Sequence, residues 1–168
     1  VPATHDVKYH PLSLADSAAV ESLLDDAFGL DRHSRTAYRI REGMSVIPAL
    51  SFAAFDGKTL IGTLQSWPAA LDTLPMVLVG PVAVVPGLQR GGIGRAMMTA
   101  LVETKARDPL VMIGDPEYYG RFFGFSADAT QGWTVPGPVE QRRLLCRYDG
   151  VLPATGLLGP RVAALAPL

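Results

Sequence analysis

The chain has 168 residues, 48% of them in the hydrophobic set and 18% charged, with a formal net charge of −1. That balance fills the core of one domain, spanning residues 1–168, and excludes a disordered chain. It also leaves no electrostatic footprint for nucleic acid or an anionic membrane.

No apolar run is long enough to span a bilayer and no signal-peptide pattern opens the chain. The first residue is Val rather than Met, as expected of a trimmed or processed chain. One cysteine, Cys146, forbids an intrachain disulfide, and a reduced, cytoplasmic setting is the natural expectation. Cys146 follows Leu144 and Leu145 and reads as a small buried hydrophobe. The three histidines, His5, His10 and His33, have no partners at metal-ligand spacing, so no metal site is expected.

In chain order, Val7 to Leu12 reads as a strand. Ser13 or Asp16 then caps a helix whose apolar stripe is Val20, Leu23, Leu24, Ala27 and Phe28, and Gly29 ends it. Arg35 to Glu42 reads as a second, partly exposed helix. Leu50 to Phe55 and Thr59 to Trp67 form a hairpin about Asp56-Gly57, with Pro68 as the stop. Met76 to Val85 is a nearly all-apolar strand, as expected where both faces are covered. Gly91 to Arg107 reads as the longest helix, with Ile93, Met97, Ala100, Leu101 and Thr104 on one face. Leu110 to Ile113 follows as a strand parallel to the preceding one, because a helix separates them. Glu117 to Phe123 is a short helix. Trp133 and Leu144 to Tyr148 look like two strands joined by a long turn. From Val151 onward the only charge is Arg161. So apolar a segment should dock on a sheet edge or a second copy.

The chemistry concentrates between Val82 and Arg95, where a buried strand enters a turn with three glycines in the four residues 91–94 and opens a helix. Glycines admit a ligand close to backbone N–H groups, and the first helical turn offers unpaired N–H groups at the positive dipole end. Together they suit a pyrophosphate, with Arg90 and Arg95 adding charge. A Walker loop needs a Lys that is absent here, and a Rossmann turn needs a third Gly where Met97 stands. Gly80-Pro81 inside the apolar strand predicts a break in its pairing. Backbone groups beyond that break, from Val82 through Ala83 to Val84, are then free to bind an extended amide-bearing ligand.

Gln89-Arg90-Gly91-Gly92-Ile93-Gly94 after Val84-Val85-Pro86 resembles the GNAT superfamily of N-acetyltransferases. Its signature is Gln/Arg-x-x-Gly-x-Gly/Ala after a strand with a Val-x-Pro-like step. The order of elements agrees along nearly the whole chain. The resemblance implies an α/β fold: a mixed, mostly antiparallel central sheet with a splayed parallel strand pair, flanked by helices. It implies acetyl-CoA as acyl donor, held by Val82, Ala83, Val84, Gln89, Arg90, Gly91, Gly92, Ile93, Gly94 and Arg95. An amine, small-molecule or peptide, would attack the thioester directly, with a backbone N–H near Val82 on the oxyanion. In many relatives a Tyr four residues before a Gly-Phe pair protonates the leaving thiolate. Here Gly120 holds that position before Gly124-Phe125, and Tyr119 is five back. Adjacent helical residues point ~100° apart, so Tyr119 is the expected acid and Tyr118 the reserve.

The Met76–Val85 strand carries no acid to serve as general base. Asp115 reads as a helix cap and Glu117 is the next nearest acid. Phe28, Tyr38, Gln65 and Trp67 are expected to line the acceptor pocket, and no feature fixes the acceptor. The resemblance also admits a homodimer. A catalytically degenerate acyl-CoA-binding sensor and a nucleotide-binding domain are the competing readings.

Overall fold

Asp16, not Ser13, opens the first long helix. The computed structural model describes residues 6–161. Within them strand β1 (Val7–Pro11) leads through a 3-10 turn that absorbs Ser13 to helix α1 (Ser17–Phe28). The Asp16 carboxylate accepts the Ala19 N–H at 3.1 Å. Val20, Leu23 and Leu24 face inward, and Gly29, at φ 94°, terminates the helix as its C-cap. Helix α2 (Thr36–Ile40) is shorter than its sequence pattern suggested.

The strands that follow are β2 (Phe52–Asp56), β3 (Thr59–Leu71) and β4 (Leu74–Val84). Helix α3 (Ile93–Glu103), strand β5 (Leu110–Ile113) and helix α4 (Pro116–Phe123) come next. Strands β6 (Gly132–Thr134), β7 (Leu144–Arg147) and β8 (Thr155–Pro160) complete the order. Hydrogen-bonded neighbours run β1-β2-β3-β4-β5-β7, with β8 pairing both β3 and β6. The sheet is mostly antiparallel. The parallel ladders are β4–β5 and β6–β8. The β4–β5 pair is splayed: its register holds only Val77↔Leu110 and Leu78↔Val111, although β5 runs on to Ile113 and β4 to Val84.

The backbone groups into two compact units of interleaved segments. Among the described residues, one contains 6–32, Ile47–Ser66 and Pro81–Lys105. Here β1 pairs β2, and β2 pairs β3 through the Asp56-Gly57 hairpin. Gly62 on β3 is the close-approach point for α3: a Cβ there would lie 2.9 Å from Ile93 Cγ2 and 3.1 Å from Met97 Cε. Helix α3 buries Ile93, Met97, Met98 and Leu101. It stops at Glu103, well before the expected Arg107, because Thr104 turns its hydroxyl onto the Leu101 carbonyl and Lys105 adopts φ 52°. Thr104, expected on the apolar face, is exposed, and Met98 is buried instead. Arg32 is fully buried and donates to Glu21 at 2.8 Å and Asp25 at 3.0 Å, tying the segment after α1 back onto that helix.

The other unit holds His33–Val46, Trp67–Gly80 and, of the described residues that follow, 106–161. Ile40, Trp67, Leu71, Met76, Leu78, Val111, Trp133, Leu144, Cys146 and Leu158 share its core. Each large apolar side chain in that set contributes roughly 1.5–3 kcal/mol of burial free energy. Two local expectations change here. Pro68 does not end β3: it falls after the β2 ladder finishes at Phe52↔Leu64 and before the β8 ladder begins at Ala69↔Pro160, so neither needs its missing N–H. The Trp133 and Leu144–Tyr148 segments do not pair with each other. β7 takes the antiparallel edge of β5, and β6 takes β8.

The apolar C-terminal stretch does dock on a strand edge as far as it is described. β8 lies along β3, and the Arg161 guanidinium donates to the Ala69 and Met76 carbonyls. Residues 162–168 fall outside the described residues. Among the described residues no helix is long and apolar enough to cross a membrane.

Candidate active site

The glycine-rich turn is built in three steps. The Val85 N–H donates to the Ile61 carbonyl at 2.9 Å, anchoring the end of β4. Two tight bonds then curl the chain, Leu88 N–H to Val85 O at 3.0 Å and Gly91 N–H to Leu88 O at 3.1 Å. Gly92 finally enters α3 as an N-cap in the left-handed region, φ 79°, with no side-chain cap. Only glycine holds that conformation at little cost.

Helix α3 closes its first i→i−4 bond from the Ala96 N–H to Gly92 O at 2.9 Å. The N–H groups ahead of Ala96 therefore lie outside the helical ladder, at the positive end of the dipole. No acidic residue stands in this first turn, while Gln89, Arg90 and Arg95 are exposed beside it. Nothing lies within 4 Å of a Cβ placed on Gly87 or Gly92, so the turn presents bare backbone to its surroundings. Gly94 instead faces the strand, 3.7 Å from Val82 Cγ1 and 3.8 Å from Val84 Cγ2. Ile93, Ala83 and Val84 are buried and Val82 is half-buried. All ten residues expected to hold the donor thus fall on one strand, turn and helix of the same compact unit. Chemically, the turn can bind an anion through backbone N–H groups and two flanking guanidinium side chains.

Upstream lies the Gly80-Pro81 step of β4. Gly80 sits at φ 125°, and its carbonyl is taken by the Trp67 indole N–H at 2.9 Å. Trp67 is buried, with the Arg41 guanidinium carbon 3.7 Å from its ring centroid and 4.0 Å from that of Tyr38. Nothing in the Trp67 sequence context signals this bond. Only a search for donors near Gly80-Pro81 would have found it.

The Tyr-bearing helix is pinned at both ends. Asp115 is its N-cap, accepting the Glu117 N–H at 3.0 Å, with Pro116 in the first turn. Gly124 ends it at φ 73°. Tyr119 packs edge-on against Tyr118 at 4.9 Å and Phe125 at 6.3 Å, and its ring fills the space beside Gly114, where a Cβ would lie 2.8 Å away. Burial first, then the neighbouring Tyr118 and Asp115, pushes the Tyr119 hydroxyl up to about 12. Such a phenol stays protonated throughout the neutral range. Tyr118 turns toward Phe122, at 5.3 Å, and Phe123, at 6.0 Å.

Asp115 is held below the usual carboxylate range, first by hydrogen bonding with the Glu117 side chain and then by the Glu117 backbone N–H. That, with its capping role, makes it a poor proton acceptor. Glu117 pairs with Arg142. Strand β4 contains no acidic side chain.

The remaining expected residues are distributed as follows. Phe28 is half-buried at the end of α1, and Tyr38 stacks on Arg41. Gln65 is buried with its Oε1 unpartnered, as is the Thr63 hydroxyl two residues before it. Cys146 is buried, and that burial pushes its thiol up to about 12. His10 and His33 are exposed, and His5 lies outside the described residues. Among the described residues no group of three or more His, Cys, Asp or Glu is placed to hold a metal.

Residues 17–114, more than half the chain, match the acetyltransferase (GNAT) family, and the chain belongs to that family. It is 25% identical over 150 residues to an uncharacterized N-acetyltransferase of Escherichia coli (strain K12), YjhQ, covering 84% of this chain and 82% of that protein. Among solved structures it resembles a GNAT family N-acetyltransferase of Escherichia coli, YhbS, in complex with CoA. The TM-score is 0.68 at 23% identity, covering 95% of this chain and 92% of that one. A GNAT family acetyltransferase from Brucella melitensis in complex with acetyl-CoA aligns with TM-score 0.63 at 21% identity, covering 92% and 96%.

Proposed function

We propose that this protein is a single-domain N-acetyltransferase that moves the acetyl group of acetyl-CoA to an amine by direct attack. The observation that carries the reading is the bare glycine-rich turn at the start of α3, left-handed at Gly92 and flanked by Arg90 and Arg95. CoA and acetyl-CoA in the two similar structures support the same donor here. Backbone N–H groups from Gly92 to Gly94 take the pyrophosphate, Arg90 and Arg95 add charge, and the edge of β4 from Val82 to Val84 takes the pantetheine amides.

In the transfer, the amine nitrogen bonds to the thioester carbonyl carbon, and the Val82 N–H stabilises the oxyanion. Collapse breaks the carbon–sulfur bond, and Tyr119 donates its proton to the leaving thiolate. The high affinity of Tyr119 for its proton keeps it in the acid form before each turnover. Because Asp115 is a cap and β4 has no carboxylate, the amine attacks in its neutral form, and the proton its nitrogen must shed after the bond forms leaves to water, from which Tyr119 regains its own. The acceptor is a small molecule or a peptide bearing a primary amine.

The test is calorimetric titration with acetyl-CoA, followed by thiol release over a panel of primary amines. Gly92→Val is expected to abolish acetyl-CoA binding while circular dichroism shows a folded chain. Unchanged affinity in the folded variant would place the donor elsewhere. Binding without thiol release on any amine would favour the sensor reading, which the lack of a carboxylate on β4 also allows.

A further inference from the structure

We infer that Trp67 is a positioning residue for acyl transfer: by holding the Gly80 carbonyl it aims the Val82 N–H at the thioester oxygen. The inference rests on the acetyl-CoA reading above.

Its physical basis is the chemistry of the Gly80-Pro81 peptide. Proline has no N–H, so this peptide unit has one polar handle, the Gly80 carbonyl. That handle is held by the Trp67 indole N–H at 2.9 Å. The ladder to β5 has already ended, since the last β4–β5 pair is Leu78↔Val111, and from there β4 keeps β3 as its strand neighbour. Gly80 at φ 125° lies outside what other residues adopt readily, so local preference alone does not fix its rotation. The next backbone donor along the strand is Val82. Proline also fixes its own φ, so rotation of the Gly80-Pro81 plane reaches the Val82 N–H through one soft torsion, Pro81 ψ.

Trp67 suits this task. An indole has a single donor and no acceptor, so its N–H commits to one partner. The ring is buried and clamped on its face by Arg41, at 3.7 Å, which is itself stacked on Tyr38 at 4.0 Å. A cation over an indole face adds attraction as well as steric restraint. The donor is thus fixed in direction before any substrate arrives.

Trp67→Phe keeps an aromatic face for Arg41 and deletes only the donor and part of the volume. CoA, which lacks the carbonyl, is expected to bind the variant within about twofold of wild type. The kcat on the best amine of the panel should fall by ~10-fold, a fraction of what loss of a whole oxyanion donor costs. Acetyl-CoA affinity should fall relative to CoA. Equal losses for CoA and acetyl-CoA, or an unchanged kcat, would overturn the inference.

Should Trp67→Phe not fold, wild-type protein labelled with 15N answers the question. The Trp67 indole N–H resonance should move more on titration with acetyl-CoA than with CoA. Identical shifts with both ligands, or none, would refute the coupling. If wild type binds neither ligand, the acetyl-CoA reading itself falls and this inference falls with it. If wild type binds and turns over, only the Trp67 role is under test.

Discussion

Two glycine-to-alanine substitutions under the same helix should move stability in opposite directions. At Gly62 an added methyl would lie 2.9 Å from Ile93 Cγ2, 3.1 Å from Met97 Cε and 3.3 Å from the Ala83 carbonyl oxygen. The first two contacts demand movement of α3 side chains already packed in a buried position, and the third is backbone. Overpacking of this kind costs about 1–3 kcal/mol, offset by about 0.4–1 kcal/mol from the stiffer unfolded chain. A net loss of about 1–2 kcal/mol follows for Gly62→Ala. At Gly94 the new methyl would meet Val82 and Val84 at 3.7 and 3.8 Å, ordinary contact distances. Gly94→Ala then gains the unfolded-state term without a clash and should be about 0.4–1 kcal/mol more stable. Urea unfolding of the three proteins measures both signs in one experiment. Acetyl-CoA affinity should survive in Gly94→Ala and weaken in Gly62→Ala, where α3 is pushed off the strand that seats it. A Gly62→Ala protein as stable as wild type would show that α3 does not depend on this close approach, and the account of how the turn is seated would fail.

Other outcomes follow from the same geometry. Tyr119→Phe should lower kcat by roughly 10²-fold with little change in acetyl-CoA affinity, and Tyr118→Phe should be milder; the reverse order would move the acid to Tyr118. Because the folded-state value of Tyr119 is raised to about 12 from an ordinary 10.0, its contribution to stability is intact below pH 10 and lost as pH rises toward 12. By pH 11 that loss is on the order of 1 kcal/mol, and Tyr119→Phe should unfold with a correspondingly weaker alkaline dependence in urea titrations at pH 9 and 11. Deleting Leu157 to Leu168 removes most of β8 from its partners β3 and β6. It should therefore cause aggregation or a change of mass in light scattering, and an unaltered, soluble protein would show that the strand is dispensable.

Local signals in the chain sufficed wherever one residue type has one physical use. Gly57, Gly29 and Gly124 end or turn elements at positive φ, Asp115 caps α4, and the period of Val20, Leu23 and Leu24 marks the inner face of α1. The strand, glycine turn and helix from Val82 to Arg95 were legible for the same reason: backbone N–H presentation is a local property of the segment. Partner choice between distant strands was not. Nothing in Trp133 or Leu144–Tyr148 tells that β6 seeks β8 while β7 seeks β5, because ladder bonds are alike whichever strand supplies them. Pro68 looked like a strand stop until the partners on either side of it showed that its missing N–H is needed by neither. The tertiary structure alone decided which donor holds the Gly80 carbonyl and where α3 comes close enough to require Gly62. Both depend on distances between residues that the order of the chain does not encode.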